Sequence, residues 1–254
     1  MITLRVIKNI ENMTMNTCKN CNEPISGNYC SNCGQSAKLK RIDLHYVIHE
    51  IAHAFHTERG ILYTIKRLLI SPGEDIKYYI TENRSRLVKP IPFLIITSLI
   101  YSVALHFFHI SAKDFYPQQT EVEFPTVNLF LKWIMDYQGY SSIISGFFVA
   151  FWVKLFFRKS GYNLFEIFVL LCFLSGVSSL FSIVIVILQG LTHLHLMEIS
   201  SLIVTFYYAW AMGQFFDRKK ARSYIKAFIS CILGFLIFGF LVAFIGIFID
   251  LVIK

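Results

Sequence analysis

Four cysteines near the N-terminus have the residue type and the spacing of a metal site. Cys18 and Cys21 form one C-x-x-C pair, and Cys30 and Cys33 form a second pair. A C-x-x-C turn brings two thiolates to one side of a tight knuckle, and two knuckles complete a tetrahedral shell around zinc. We therefore predict that Cys18, Cys21, Cys30 and Cys33 are the metal ligands.

The residues around these cysteines predict a small zinc ribbon over residues 17–37. Asn22 and Gly34, directly after the two knuckles, suit the positive φ that such turns require. Residues 23–29 between the pairs suggest a tight hairpin with almost no core, so the metal must drive folding. Four thiolate ligands leave no open position, which indicates one structural zinc per chain. Two disulfides in an exported domain are the alternative, but the segment is basic and follows no cleavable signal peptide.

A second motif, His49-Glu50-Ile51-Ala52-His53, matches H-E-x-x-H. Histidines four residues apart on one helical face can share zinc, with the glutamate placed to take a proton from bound water. Hydrolysis would need a third ligand, for which the nearby residues are His56, Glu58 and Asp75. We predict no catalytic residue and interpret the stripe His45, His49, His53 and His56 as a polar helix face. A metal-binding or pH-sensitive face and a zinc hydrolase remain alternatives.

The composition places these motifs ahead of a membrane domain. Of the 254 residues 55% are hydrophobic and only 16% are charged, which is too apolar for a soluble domain of this size. We predict an all-α polytopic membrane protein with about five transmembrane helices in residues 90–254. The spans run over about 90–109, 141–157, 163–188, 196–216 and 224–249.

The positions of lysine and arginine predict the orientation. Thirteen of them precede the first span, and two further clusters follow the second and fourth spans. Cytoplasmic loops retain such cations, so the N-terminus is placed in the cytoplasm and the C-terminus in the periplasm of a bacterial inner membrane. The net charge of +8 then indicates contact with anionic lipid headgroups. We expect no nucleic-acid partner, because the ribbon is too small and too neutral.

Residues 41–89 are predicted to form amphipathic cytoplasmic helices, and residues 1–16 a poorly defined extension. Leu44, Ile48, Ile51, Phe55 and Leu62 have helical spacing. Ser71-Pro72-Gly73-Glu74 predicts a helix start with Ser71 as N-cap in a capping box. The arginines and lysine that follow, Arg84, Arg86 and Lys89, are placed to contact phosphates.

Ionisable residues inside the spans are further candidates, because burying them in lipid is costly. Lys154 and Glu166 lie near the inner ends of two spans, where they could pair or reach the interface separately. We favour the second arrangement. Glu198 and Asp250 lie near the outer ends.

Several of these segments together resemble a bacterial membrane protein family of unknown function, common in Bacteroidetes. They are residues 29–35, 49–53, 59–64, 71–74 and the basic stretch ending in Lys89-Pro90. The resemblance covers about residues 18–110. It implies an N-terminal zinc ribbon joined to several spans, and it implies no activity.

The sequence therefore favours a non-enzymatic membrane scaffold or sensor whose cytoplasmic zinc ribbon recruits a protein partner. A transporter, channel or lipid-handling protein, as a monomer or a homo-oligomer, is the first alternative. A zinc metallohydrolase that uses His49, Glu50 and His53 is the second.

Overall fold

The architecture is helical in every part of the chain that can be described. A computed structural model describes residues 17–25, 27–37, 39, 41–46, 60–110, 124–192, 194 and 196–253. Two isolated antiparallel bridges lie within residues 17–37, called here the cysteine module. The helices are α1 (Ile61–Ile70), α2 (Pro72–Thr81), α3 (Pro90–Phe107), α4 (Pro125–Asp136), α5 (Gln138–Phe156), α6 (Leu164–Thr192), α7 (Met197–Asp217) and α8 (Ala221–Ile253). The predicted all-α class is confirmed for these residues.

Three of the helices begin with proline, at Pro72, Pro90 and Pro125. Proline is favoured at the first helical position because its φ is already helical and its missing N–H would have no partner there. Ser71 occupies the N-cap position of α2 as predicted, but its side chain makes no capping hydrogen bond. The predicted capping box is therefore wrong. Glu74 instead accepts a hydrogen bond from Arg218 at 2.7 Å, which ties α2 to the end of α7.

Four helices are long and apolar enough to cross a membrane: α3, α5, α6 and α8. This makes the chain a membrane protein, with four such helices in the described residues where the sequence predicted about five. The remaining candidate, α7, is 21 residues long, so its length suffices at about 1.5 Å per residue. Its composition sets it apart, because Glu198, Tyr207, Tyr208 and Gln214 interrupt the apolar run.

Helix α6 forms the centre of the bundle, and most of its apolar window is buried. Phe173 of α6 packs edge-to-face on Tyr79 of α2 with ring centroids 5.2 Å apart, and it also contacts Phe93 of α3. Gly176 lets α3 approach closely, since a Cβ there would lie 2.5 Å from the Phe93 ring. The core thus joins the apolar spans to the short helix α2.

Helix α8 lies at the edge, with little of its window buried. Gly234 faces the Val149 backbone of α5, where a Cβ would lie 2.6 Å from Cα. Gly246 faces Val127 of α4 in the same way, at 2.7 Å from a methyl carbon, whereas Gly239 has open space around it. Two of these three glycines are therefore close packing points.

Helices α1 and α2 pack against the second half of α7. Tyr207 of α7 donates a hydrogen bond to the Leu68 carbonyl of α1 at 3.1 Å. Gly73 of α2 meets the backbone of Phe215 in α7 so closely that a Cβ would lie 2.4 Å from its nitrogen. The end of α7 therefore lies on the same side of the bundle as α1 and α2.

Candidate metal centre and its docking surface

The four predicted cysteine ligands converge. All four Sγ atoms lie within 4.8 Å of one another, and the pairs Cys18–Cys33 and Cys21–Cys30 are 3.5 Å apart. A tetrahedral ion with metal–sulfur bonds of about 2.3 Å would separate its sulfur ligands by about 3.8 Å. None of the six cysteines is in a disulfide. The cluster therefore fits a metal ion, and its closed set of thiols fits a structural role.

Backbone hydrogen bonds shape the two knuckles identically. The Cys18 amide donates to Glu23 O, and the Cys30 amide donates to Gln35 O, both at 2.8 Å. The residue after each pair has positive φ, 61° at Asn22 and 70° at Gly34. The predicted positive φ is thus confirmed at both positions, because asparagine and glycine tolerate the left-handed region best.

Electrostatics within the cluster favour a bound cation. A backbone hydrogen bond from Gln35 lowers the pKa of Cys33 to about 6. At Cys21 the backbone hydrogen bond from Glu23 lowers the pKa, but burial and the other thiols outweigh it and raise the pKa to about 11. The Cys33 thiolate thus forms readily while Cys21 keeps its proton, since like charges repel. A metal ion would remove this repulsion and deprotonate the set.

Both knuckles dock on the turn that follows α2. Asn83, only 2% exposed, donates through Nδ2 to Lys19 O at 3.3 Å and to Asn20 Oδ1 at 3.1 Å. Tyr78 donates to the same Lys19 carbonyl at 3.1 Å. From the second knuckle, Gln35 donates to Glu82 O at 3.4 Å. This contact could not be predicted from the sequence, because its partners are more than 45 residues apart.

The segment after the module is fastened to the start of α6. Arg41 donates to both carboxylate oxygens of Glu166, at 3.0 and 2.7 Å. Asn163 and Glu166 form a reciprocal capping box, each backbone N–H donating to the other side chain at 2.8 Å. Asn163 also donates to Ile42 O at 2.8 Å. The segment 41–42 therefore rests on the first turn of α6.

These contacts show whether Lys154 and Glu166, the charged residues near the inner ends of two spans, pair with each other. Lys154 donates to the Tyr162 carbonyl, and Glu166 pairs with Arg41. They do not pair with each other, so that alternative is wrong. The favoured arrangement, in which each side chain reaches the interface separately, is also wrong for Glu166, whose side chain is only 6% exposed. The hydrogen bond to Glu166 also raises the pKa of Arg41 above its ordinary value.

Three arginines before the first span, Arg67, Arg84 and Arg86, contact other residues of the protein. Asp75 is buried and accepts hydrogen bonds from Arg67 at 2.8 Å and Arg86 at 2.9 Å. Arg86 also lies over the ring of Tyr78, and Arg84 lies over the ring of Tyr46. Two arginines thus hold Asp75 Oδ1, whereas its Oδ2 is buried without a hydrogen-bond partner among the described residues. Arg84 and Arg86 contact the protein where the sequence predicted phosphate contacts.

The histidine motif itself, His49, Glu50 and His53, lies outside the described residues, as do His56 and Glu58. His45 is described and exposed. Asp250, which the sequence places near an outer end, is partly exposed and accepts hydrogen bonds from the backbone and side chain of Thr126 at the start of α4.

Residues 58–102 match a protein family described as a protein of unknown function, DUF3667. The matched residues comprise α1, α2 and most of α3, and therefore the docking turn and the arginine–Asp75 cluster. The cysteine module and the later helices lie outside them. No curated protein and no solved structure matches the chain.

Proposed function

We propose that this chain is a non-enzymatic scaffold or sensor of the bacterial inner membrane, in which a cytoplasmic zinc ribbon recruits a protein partner. One observation carries the proposal: a closed four-thiol shell is fastened to the helical bundle both at the 82–85 turn and at the start of α6. Zinc is the proposed metal because it favours tetrahedral coordination by four thiolates. Such a ligand set leaves no open coordination position for a substrate.

The proposed topology has five spans, with α7 as the fourth. Ser175 of α6 bonds Tyr208 of α7 at 2.7 Å, and Ser182 meets Ser200 at 3.3 Å. Residue numbers thus rise along α6 as they fall along α7, which means that the two helices run antiparallel over much of their length. If α6 crosses the membrane outward, α7 returns to the side on which the cysteine module lies.

Charge supports placing the module in the cytoplasm. Arg158 and Lys159, after α5, and Arg222, at the start of α8, are exposed. They lie at the helix ends that this topology places on the module side, where they can contact anionic headgroups. The cytoplasm also keeps thiols reduced and available to a metal.

The proposed partner surface is centred on Tyr29. This side chain is 69% exposed and directly precedes the ligand Cys30, so its backbone is fixed by the metal knuckle. An exposed aromatic ring on a rigid support is typical of interface hot spots. The docked face of the module lies around Lys19, Asn20 and Gln35, which leaves Tyr29 available to a partner.

Site-specific photo-crosslinking in cells tests recruitment. A photoreactive residue at Tyr29 should give a discrete protein adduct that disappears when Cys30→Ser removes a metal ligand. The same residue at Leu99, an exposed apolar position on α3, serves as the control and should give no such adduct. Absence of an adduct at Tyr29, or its persistence in the Cys30→Ser background, would contradict recruitment by the ribbon.

Topology reporters test the orientation separately. An alkaline phosphatase fused after the C-terminus should be active, since that enzyme folds in the periplasm. A fluorescent protein at the same place should stay dark. The opposite pair of results would overturn the five-span topology.

A further inference from the structure

A groove between α7 and α8 opens on the outside of the bundle. The groove has a volume of about 640 Å³, within the range of roughly 300–1,000 Å³ typical of small-molecule sites. Next to it lies a cavity of about 200 Å³ between α5, α6, α7 and α8. Val204, Tyr208 and Phe235 line both, so the two spaces adjoin at these three side chains.

The outer groove is apolar and open. Phe235, Leu236 and Phe240 are exposed along it. Gly239 lies in its wall, and no atom is within 4 Å of the place where a Cβ would stand. At Gly234 on the same helix, Val149 instead occupies the place where a Cβ would stand. The open space is therefore specific to the part of the groove beside Gly239. Its shape and lining suit a hydrocarbon chain.

The inner cavity has a largely apolar wall that contains several serines and no charged residue. Ser145, Ser175 and Ser178 are buried in its wall. Ser178 donates to the Leu174 carbonyl at 2.7 Å and Ser145 to the Ser142 carbonyl at 3.3 Å. Their hydroxyl protons are thereby used, and the oxygens that remain can accept hydrogen bonds.

One buried acceptor in this cavity lacks a partner. Gln138 lines the cavity, and its Oε1 is buried without a hydrogen bond among the described residues. A buried acceptor without a donor is costly, by an amount comparable to a lost hydrogen bond. The cavity therefore has hydrogen-bond acceptors that lack donors, and a ligand with hydrogen-bond donors would suit it.

We propose that the groove and cavity form one binding site for an uncharged lipid with a hydroxyl-bearing headgroup. The hydroxyl group donates to Gln138 Oε1 and the serine oxygens, and an acyl chain lies along the groove past Gly239. A charged headgroup is disfavoured because no lining residue carries a compensating charge. This site goes beyond the proposed scaffold function and does not depend on the cysteine module.

Photo-labelling of the full chain in phosphatidylcholine vesicles tests the site. The probe is a photoactivatable, alkyne-tagged diacylglycerol, and we expect it to label peptides of α7 and α8. Gly239→Leu fills the groove and should reduce labelling about tenfold, because overpacking an occupied site costs enough to shift binding by that factor. Leu99→Phe, at an exposed position on α3, is the matched control and should leave labelling unchanged.

The headgroup is tested by competition. Unlabelled diacylglycerol should displace the probe from the native chain, and phosphatidic acid with the same chains should compete at least about tenfold less well. Gln138→Leu should weaken competition by diacylglycerol while the melting temperature is retained. Unchanged labelling of Gly239→Leu, equal competition by both lipids, or crosslinks between the α8 helices of two copies would each overturn the proposal. The last result would assign the groove to an interface between copies.

Discussion

The docking of the cysteine module depends on one buried side chain, Asn83. Asn83→Ala removes two hydrogen bonds that cross to the module, to Lys19 O and Asn20 Oδ1. It also removes the acceptor of the Ser85 amide within the turn. At about 1 kcal/mol for each crossing bond, the docked state should lose about 2 kcal/mol, which multiplies the undocked population about thirtyfold. Tyr78 retains its bond to Lys19 O and limits the effect.

The exposed ion pair in the same contact provides the control. Lys19 Nζ lies 3.3 Å from Glu82 Oε2, but the two side chains are 63% and 41% exposed. Solvent screens such a pair, so Lys19→Ala should cost at most about 1 kcal/mol, or a fivefold change in the same population. The backbone carbonyl of residue 19, which Asn83 contacts, is unaffected by this substitution.

Hydrogen–deuterium exchange of the detergent-solubilised protein measures both variants. Peptides covering residues 17–37 and 78–82 should exchange much faster in Asn83→Ala than in Lys19→Ala, and both variants should keep their bound metal. Equal exchange rates in the two variants would show that burial of Asn83 does not govern docking. Loss of metal from Asn83→Ala would show that docking and metal binding are one event.

Three further substitutions have defined outcomes. Cys30→Ser should abolish metal binding in elemental analysis, whereas Cys172→Ser, at a buried thiol inside α6, should leave metal binding unchanged. Gly234→Ala should lower stability in detergent by about 1–3 kcal/mol because its Cβ would meet Val149, while Gly239→Ala should be nearly neutral by the same thermal assay. Glu166→Ala should destabilise the start of α6 by about 1 kcal/mol through loss of its cap, detected as faster amide exchange there.

The convergence of the four cysteines could be predicted because its determinants are local. The C-x-x-C spacing sets which thiols converge, and the residue after each pair must accept a positive φ. Asn22 and Gly34 meet that requirement because asparagine and glycine tolerate positive φ whatever surrounds them. Neither step needs knowledge of the rest of the chain, so sequence reasoning succeeded there.

The contacts of Glu166 show where such reasoning stops. Its partner Arg41 lies 125 residues away in sequence, and no periodicity relates the two positions. The sequence instead offered the nearby Lys154 as a partner. The capping box could nevertheless be recognised in the sequence. Asn163 and Glu166 have the three-residue spacing of such a box directly before an apolar run. That signal indicates a structural role for the glutamate, and the sequence analysis missed it.

Helix α7 illustrates a different difficulty. Hydropathy treats each segment alone, whereas two tyrosines of α7 have hydrogen-bond partners on neighbouring helices. Tyr208 bonds Ser175, and Tyr207 bonds the Leu68 carbonyl. Buried hydroxyls that are paired in this way cost little inside a bundle. The mean hydropathy of the segment counts these hydroxyls as unfavourable. Helix α7 is therefore not among the helices selected as apolar enough to cross a membrane, although it packs in the same bundle.

The two attachments of the cysteine module lie on different elements. The 82–85 turn follows α2, which packs on the end of α7 through Gly73 and on α6 through Tyr79 and Phe173. Arg41 is bound to the first turn of α6. Because Arg41 is 64% exposed and Asn83 is only 2% exposed, solvent weakens the Arg41 attachment more, and it should break first. The module would then remain on α2 while residues 41–42 are released from α6.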